Sequence, residues 1–120
     1  MTVKNYKELI VWQKSVDLVF EIYLITKQFP NEEKFGLCSQ MQRAAVTIPS
    51  NIAEGAGRSH TKEFKQFLGI SFGSSTELET QIIIAKRLYP QIDFLIAESL
   101  NIEVQKMLNG LMNKLDASNH

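Results

Sequence analysis

Cysteine is nearly absent from this chain. Cys38 stands alone among 120 residues, so no disulfide can form within it, and a reducing, cytoplasmic compartment fits that usage. Histidine is almost as scarce. His60 and His120 are the only two, and neither follows a glutamate by three residues, as a di-iron helical bundle requires. One cysteine and two distant histidines do not make a zinc site either, so no metal and no cofactor is expected. Proline (3) and glycine (6) are few, which favours a small number of long elements over many short strands. Charge of one sign is lacking too: 13 basic residues balance 13 acidic ones, which removes the argument for bulk attraction to nucleic acid. Apolar runs such as Ile82-Ile83-Ile84-Ala85 fall far short of the ~20 residues that span a bilayer, so no membrane association is expected. The opening Met1-Thr2-Val3-Lys4-Asn5 lacks a signal-peptide pattern. Gly55-Ala56-Gly57-Arg58 has the glycines of a phosphate loop but neither a preceding strand nor a following Gly-Lys-Ser/Thr, and reads as a helix-connecting turn.

What is present is helical periodicity. Hydrophobic residues make up 44%, the normal share for a chain that buries a core. Apolar spacing predicts four helical segments, about Tyr6–Gln28, Phe35–Ala56, His60–Leu88 and Ile92–Leu115. Asn5 and Ser59 are the expected N-caps of the first and third. Pro30 and Pro90 end segments, Pro49 should kink the second, and Gly55 and Gly57 are candidates to close it. The first segment has two apolar seams: Trp12, Val16, Val19 and Tyr23, and Val11, Leu18, Ile22 and Ile25. That exceeds the single stripe of a helix with a wet back. The second seam is therefore the expected oligomer interface, because a monomer would expose a contiguous apolar patch. Gly69 and Gly73, on one face of the third segment, should let a neighbouring backbone approach closely. The fourth segment offers Ile96, Leu100, Val104, Met107 or Leu108, Leu111 and Leu115. With short connections, the expected fold is all-α: one antiparallel up-down four-helix bundle covering residues 1–120.

Two polar groupings are candidate sites. Gln40, Arg43, Thr47, Asn51 and Glu54 share one face of the second segment. A solvated face is the ordinary fate of such a stripe. Its amides and hydroxyls, with Glu77 and Glu79 within reach across a helical hairpin, instead suggest a structural network, inter-helix or inter-subunit, centred on an Arg43–glutamate pair and ranked ahead of a ligand site. The other grouping is Arg58, His60, Lys62 and Lys65 at the start of the third segment, where the helix N-terminus adds partial positive charge suited to phosphate. Its ordinary reading is again a solvated face, with Glu63 between the lysines. Cys38 has no visible histidine or acid partner and reads as a small buried residue.

Several blocks occur in a recognisable order: Val11-Trp12-Gln13-Lys14, Phe29-Pro30, Phe35-Gly36-Leu37, Gln40, Arg43-Ala44-Ala45-Val46-Thr47, Ile48-Pro49-Ser50-Asn51-Ile52-Ala53-Glu54-Gly55, Gly57-Arg58, Glu63-Phe64, Phe67-Leu68 and Glu77-Leu78-Glu79. From about Leu9 to Ala85 the chain resembles the bacterial four-helix-bundle family named for proteins encoded in 23S ribosomal-RNA intervening sequences. The resemblance implies a left-handed bundle assembling as a ring-like homopentamer, with no catalytic residues to carry over. A protein similar in fold, the accessory protein of diversity-generating retroelements, is a basic pentamer that binds a reverse transcriptase and nucleic acid. This chain departs from the pattern at Gln42, where the family often has a second arginine, and in its zero net charge.

The resulting expectation is a non-enzymatic homo-oligomer that binds RNA through a basic surface. The competing expectation is an oligomeric scaffold docking a partner protein such as a polymerase or reverse transcriptase, which neutral charge suits better. An enzyme ranks last, because no activated nucleophile or acid–base pair is visible.

Overall fold

A computed structural model describes residues 5–118. The side chain of Ser118 is not described, and His120 lies outside the described residues. Four helices, α1 (Ile10–Thr26), α2 (Leu37–Ala56), α3 (Thr61–Leu88) and α4 (Leu95–Ser118), follow one another, with no strand among the described residues. Short 3-10 turns at Tyr6–Glu8 and Asn31–Glu33 precede α1 and α2. α1 packs on α2 and α4, and α3 packs on the same two, while the diagonal pairs stay apart. The outcome is an antiparallel four-helix bundle measuring 49 × 20 × 20 Å.

The bundle follows from one spacing rule. α3 buries Phe64, Leu68, Ser71, Ser75, Leu78, Ile82 and Ala85 at alternating steps of four and three, with Gln81 buried beside that line. α1 buries Val11, Ser15, Leu18, Ile22 and Ile25 by the same rule, and α4 buries Ala97, Asn101, Val104, Leu108 and Leu115. A seam with this mean period of 3.5 keeps facing its neighbours when helices wind around each other. α2 is wider, adding Ala44 and Pro49 to Met41, Ala45, Ile48, Ile52 and Gly55. It runs unbroken through Pro49.

Several local expectations change. Asn5 caps the short turn before α1 by accepting from Lys7 N at 3.0 Å, and Leu9, extended, separates that turn from the helix. His60, not Ser59, occupies the N-cap of α3, and it makes no side-chain cap bond. α4 begins at Leu95, where Asp93 accepts from the Leu95 N–H at 2.9 Å; Ile92 and Phe94 are buried in the connection instead. The α4 seam is rotated from the expected one: Ile96 is 60% exposed, and the polar Asn101 takes a core position. A count of apolar residues alone could not have placed an amide there.

The glycines also exchange roles. Gly69 and Gly73 stand over open space, with no atom within 4 Å of an added Cβ. Gly55 is the position of close approach: an added Cβ would lie 2.7 Å from Phe67 Cβ and 3.2 Å from the Phe64 carbonyl oxygen. Gly57 caps α2 in ordinary right-handed geometry. Gly55→Ala should therefore lower unfolding stability by about 1–3 kcal/mol through overpacking. Gly110→Ala, inside α4 with open space around it, should raise stability by about 0.5–1 kcal/mol through helix propensity. Urea denaturation of the two variants beside the wild type checks both signs.

The end of the bundle where α1 joins α2 and α3 joins α4 is closed by aromatics. Phe29 packs against Tyr89 (ring centroids 5.1 Å apart) and Phe94 (6.3 Å). The Tyr89 hydroxyl donates to the Glu33 carboxylate. That bond, then partial desolvation, then the charges of Glu33 and Glu32, push the phenol from 10.0 up to about 12. A folded pKa above the unfolded one means the contribution is complete below pH 10 and is lost as pH rises towards 12. Over that interval wild-type thermal stability should fall more steeply than that of Tyr89→Phe. The same variant should lose a phenol ionising near pH 12 from a tyrosinate absorbance titration.

Candidate functional site

The basic cluster sits where α2 turns into α3, at the opposite end from the aromatics. Arg58 follows the α2 cap, and its guanidinium reaches Glu54 at 2.6 Å and Glu63 at 3.9 Å while lying 5.0 Å over the Phe67 ring. Lys65 meets Asp116, in the last turns of α4, at 2.5 Å. Lys62 and His60 are exposed and make no ion pair among the described residues. The four residues are neighbours, but two of the cations are already engaged by carboxylates. These pairs are half-exposed, so each contributes little to stability, and a phosphate could compete for the same donors.

The polar stripe of α2 is solvated. Gln40, Arg43 and Glu54 are exposed; Thr47 and Asn51 are half-buried. Thr47 Oγ1 donates to the Arg43 carbonyl and Asn51 Nδ2 to the Thr47 carbonyl, both within the helix. Among the described residues neither Arg43 nor Glu77 nor Glu79 enters an ion pair, so the expected buried Arg43–glutamate pair does not form within the chain. The seam of α2 that faces its neighbours is apolar, and leaves the stripe no buried partner.

The polar links between helices lie elsewhere. Ser71 Oγ donates to the Ile48 carbonyl at 2.8 Å, tying α3 to α2. Asn101 Nδ2 donates to the Ser75 carbonyl at 2.9 Å, tying α4 to α3, and Gln105 reaches the same oxygen at 3.3 Å. Gln42 Nε2 donates to Thr26 Oγ1 at 3.0 Å, tying α2 to α1, and also approaches the half-buried Cys38 sulfur at 3.4 Å. Serine, threonine and asparagine at core steps of an otherwise apolar seam were the sequence signal for these contacts. Ser71→Ala should cost about 1 kcal/mol, the net worth of one buried hydrogen bond, while Gln40→Ala should stay within about 0.5 kcal/mol of wild type. Denaturant unfolding separates the two outcomes.

The assembly seam also needs correction. Val11, Leu18, Ile22 and Ile25 are 0–6% exposed and form part of the chain's own core, so they cannot be its outer face. The apolar surface of α1 comes from its other side. Val19, Phe20, Tyr23 and Leu24, with Lys27 and with Val46 of α2, line an open groove of about 440 Å³, and Phe20 is 67% exposed. Across the bundle, a smaller notch of about 100 Å³ lies between α3 and α4, lined by Glu79, Ile82, Ile83, Glu98, Asn101 and Ile102. Glu98 is paired there with Lys86 at 2.9 Å. The buried oxygens Asn101 Oδ1 and Gln81 Oε1 have no hydrogen-bond donor. Leaving such an oxygen unmatched costs about 1–3 kcal/mol.

No group of three or more histidine, cysteine, aspartate or glutamate residues among the described residues could hold a metal ion. No helix among them is long and apolar enough to cross a membrane. No curated protein is significantly similar to the chain. The profile of the family described as 23S rRNA-intervening sequence protein matches residues 7–110, which takes in all of α1, α2 and α3 and most of α4. Four helices in this order, and a match over most of its length, make the chain a member of the 23S rRNA-intervening sequence protein family.

Proposed function

We propose that this chain is a non-enzymatic, self-assembling cytoplasmic protein that associates with ribosomal RNA. The observation that carries the assembly is the α1–α2 groove, where Phe20, Tyr23, Leu24 and Val46 stand 40–67% exposed on one side of a small bundle. A contiguous apolar surface of this kind marks an interaction site. The family description supports the ribosomal-RNA part. A five-membered ring rests on the family resemblance alone.

Within one copy the RNA-facing charge is small. Lys62 and His60 are free at the N-terminal end of α3, while Arg58 and Lys65 are held by carboxylates. Repetition around an assembly turns such a weak patch into a useful one by avidity. Contacts would be to phosphate, because Phe64 is buried and Phe67 is covered by Arg58, leaving no ring there for base stacking. The neutralised cations and zero net charge favour a second reading, an oligomeric scaffold that docks a partner protein such as a polymerase.

Affinity of the purified assembly for a ribosomal-RNA fragment and an unrelated RNA, measured against salt, tests the reading. The expected result is a linear fall of log K with log salt, with a slope of about −0.7 for each single-strand phosphate contacted. Lys62→Glu should weaken binding at least about tenfold, at 1.4 kcal/mol per decade. Absence of binding at low salt would reject the RNA role and leave the protein scaffold.

A further inference from the structure

The notch between α3 and α4 has a floor and a rim of different character. Asn101 and Ile82, each 2% exposed, form the floor, and Glu79, Glu98, Ile83 and Ile102 stand around it. It lies in the later part of α3 and the start of α4, towards the aromatic-closed end and away from the basic α2–α3 turn.

Every polar side chain that lines the notch offers it an acceptor. Asn101 Nδ2 is committed to the Ser75 carbonyl at 2.9 Å, which fixes the orientation of the amide. Oδ1 is the polar atom Asn101 has left, and it has no donor. Glu98 gives Oε2 to Lys86 at 2.9 Å, which leaves Oε1 of the same carboxylate. Glu79 is exposed and enters no ion pair among the described residues. Lys86 thus balances one of the two carboxylates, and one negative charge is left over.

Water can fill the notch but not balance it, having two hydrogens to give and no charge. An ammonium brings three donors and one positive charge, which match the three acceptors and the charge left over. A guanidinium holds five donors in a fixed plane and would leave two unmatched. The apolar lining selects what the ammonium is attached to. Ile82, Ile83 and Ile102 offer no ligand atom to a metal ion, but they suit a methylene stem, as the stems of lysines lie along apolar surface. The notch volume of about 100 Å³ is well above the about 10–15 Å³ that admits a single water, so a head group and a short stem both fit.

We propose that the α3–α4 notch binds a primary alkylammonium. The ammonium hydrogen-bonds to Asn101 Oδ1, Glu79 and Glu98, and the alkyl chain lies against Ile83 and Ile102. Lys86 is the chain's own competitor: its half-exposed ammonium already holds one oxygen of Glu98, in a pair weak enough to be displaced. A free amine and a lysine side chain of another protein carry the same group, and different probes separate them.

The first probe is n-butylammonium chloride, titrated into the purified full chain with labelled isoleucine methyl groups and followed by NMR. The Ile83 and Ile102 methyl signals should shift and saturate in the millimolar range, while potassium chloride at the same ionic strength leaves them in place. Glu79→Gln, at an exposed position, should weaken binding at least about tenfold. Asn101→Leu, which makes that step of the seam apolar, should abolish it, with far-UV circular dichroism confirming the helices. Lys86→Met should tighten it by releasing Glu98. Shifts that never saturate, an equal response to potassium, or undiminished binding by both Glu79→Gln and Asn101→Leu would overturn the assignment; if Asn101→Leu does not fold, Glu79→Gln decides alone. Equal affinity for butylammonium and for Nα-acetyl-lysine amide assigns the site to a partner's lysine side chain, and a clear preference for butylammonium assigns it to a free amine.

Discussion

The four-three spacing of buried side chains is the constraint on which everything else here depends. In α1, α3 and α4 it assigns the core to one narrow line per helix. Any apolar side chain off that line has no place inside. α1 makes the consequence plain: Val11, Leu18, Ile22 and Ile25 fill the seam, and Phe20, Tyr23 and Leu24, only one or two positions away, are left in the open. The apolar surface is what remains when a helix has more apolar residues than its seam can take.

The same narrow seam explains the polar groups inside. Ser71, Ser75 and Asn101 occupy steps that could have carried leucine. Each hydroxyl or amide there is bonded to a backbone carbonyl, and two of those bonds cross between helices. An apolar seam of uniform period permits a helix to slide by one turn at modest cost. A side-chain donor matched to a single carbonyl does not, so these bonds pin the register of α3 against α2 and of α4 against α3. Gly55 acts likewise at the other end, since only there can the Phe64–Phe67 turn of α3 press against the α2 backbone.

Much of this was legible in the sequence, and the failures share a cause. Four helices, their order and their breaks follow from periodicity and from Pro30 and Pro90, because those signals are local. Which of two parallel seams faces inward is not local. Val11 and Trp12 are equally apolar, and the choice is made by the facing helices, so the assembly seam was assigned to the side that became the core. The Arg43–glutamate pair is absent within the chain for the same reason: the spacing of Gln40, Arg43, Thr47, Asn51 and Glu54 fixes a common face but not its direction. The basic cluster shows the opposite limit. Arg58, Lys62 and Lys65 were legible as a group, but Asp116, which neutralises Lys65, lies 51 residues further along the chain.

The core of this bundle is filled by the buried seams of its four helices. What it can vary is its outer surface, and this chain has two distinct sides. The α1–α2 side is apolar with free cations; the α3–α4 side is lined with small residues and carries a free carboxylate and an unmatched amide oxygen.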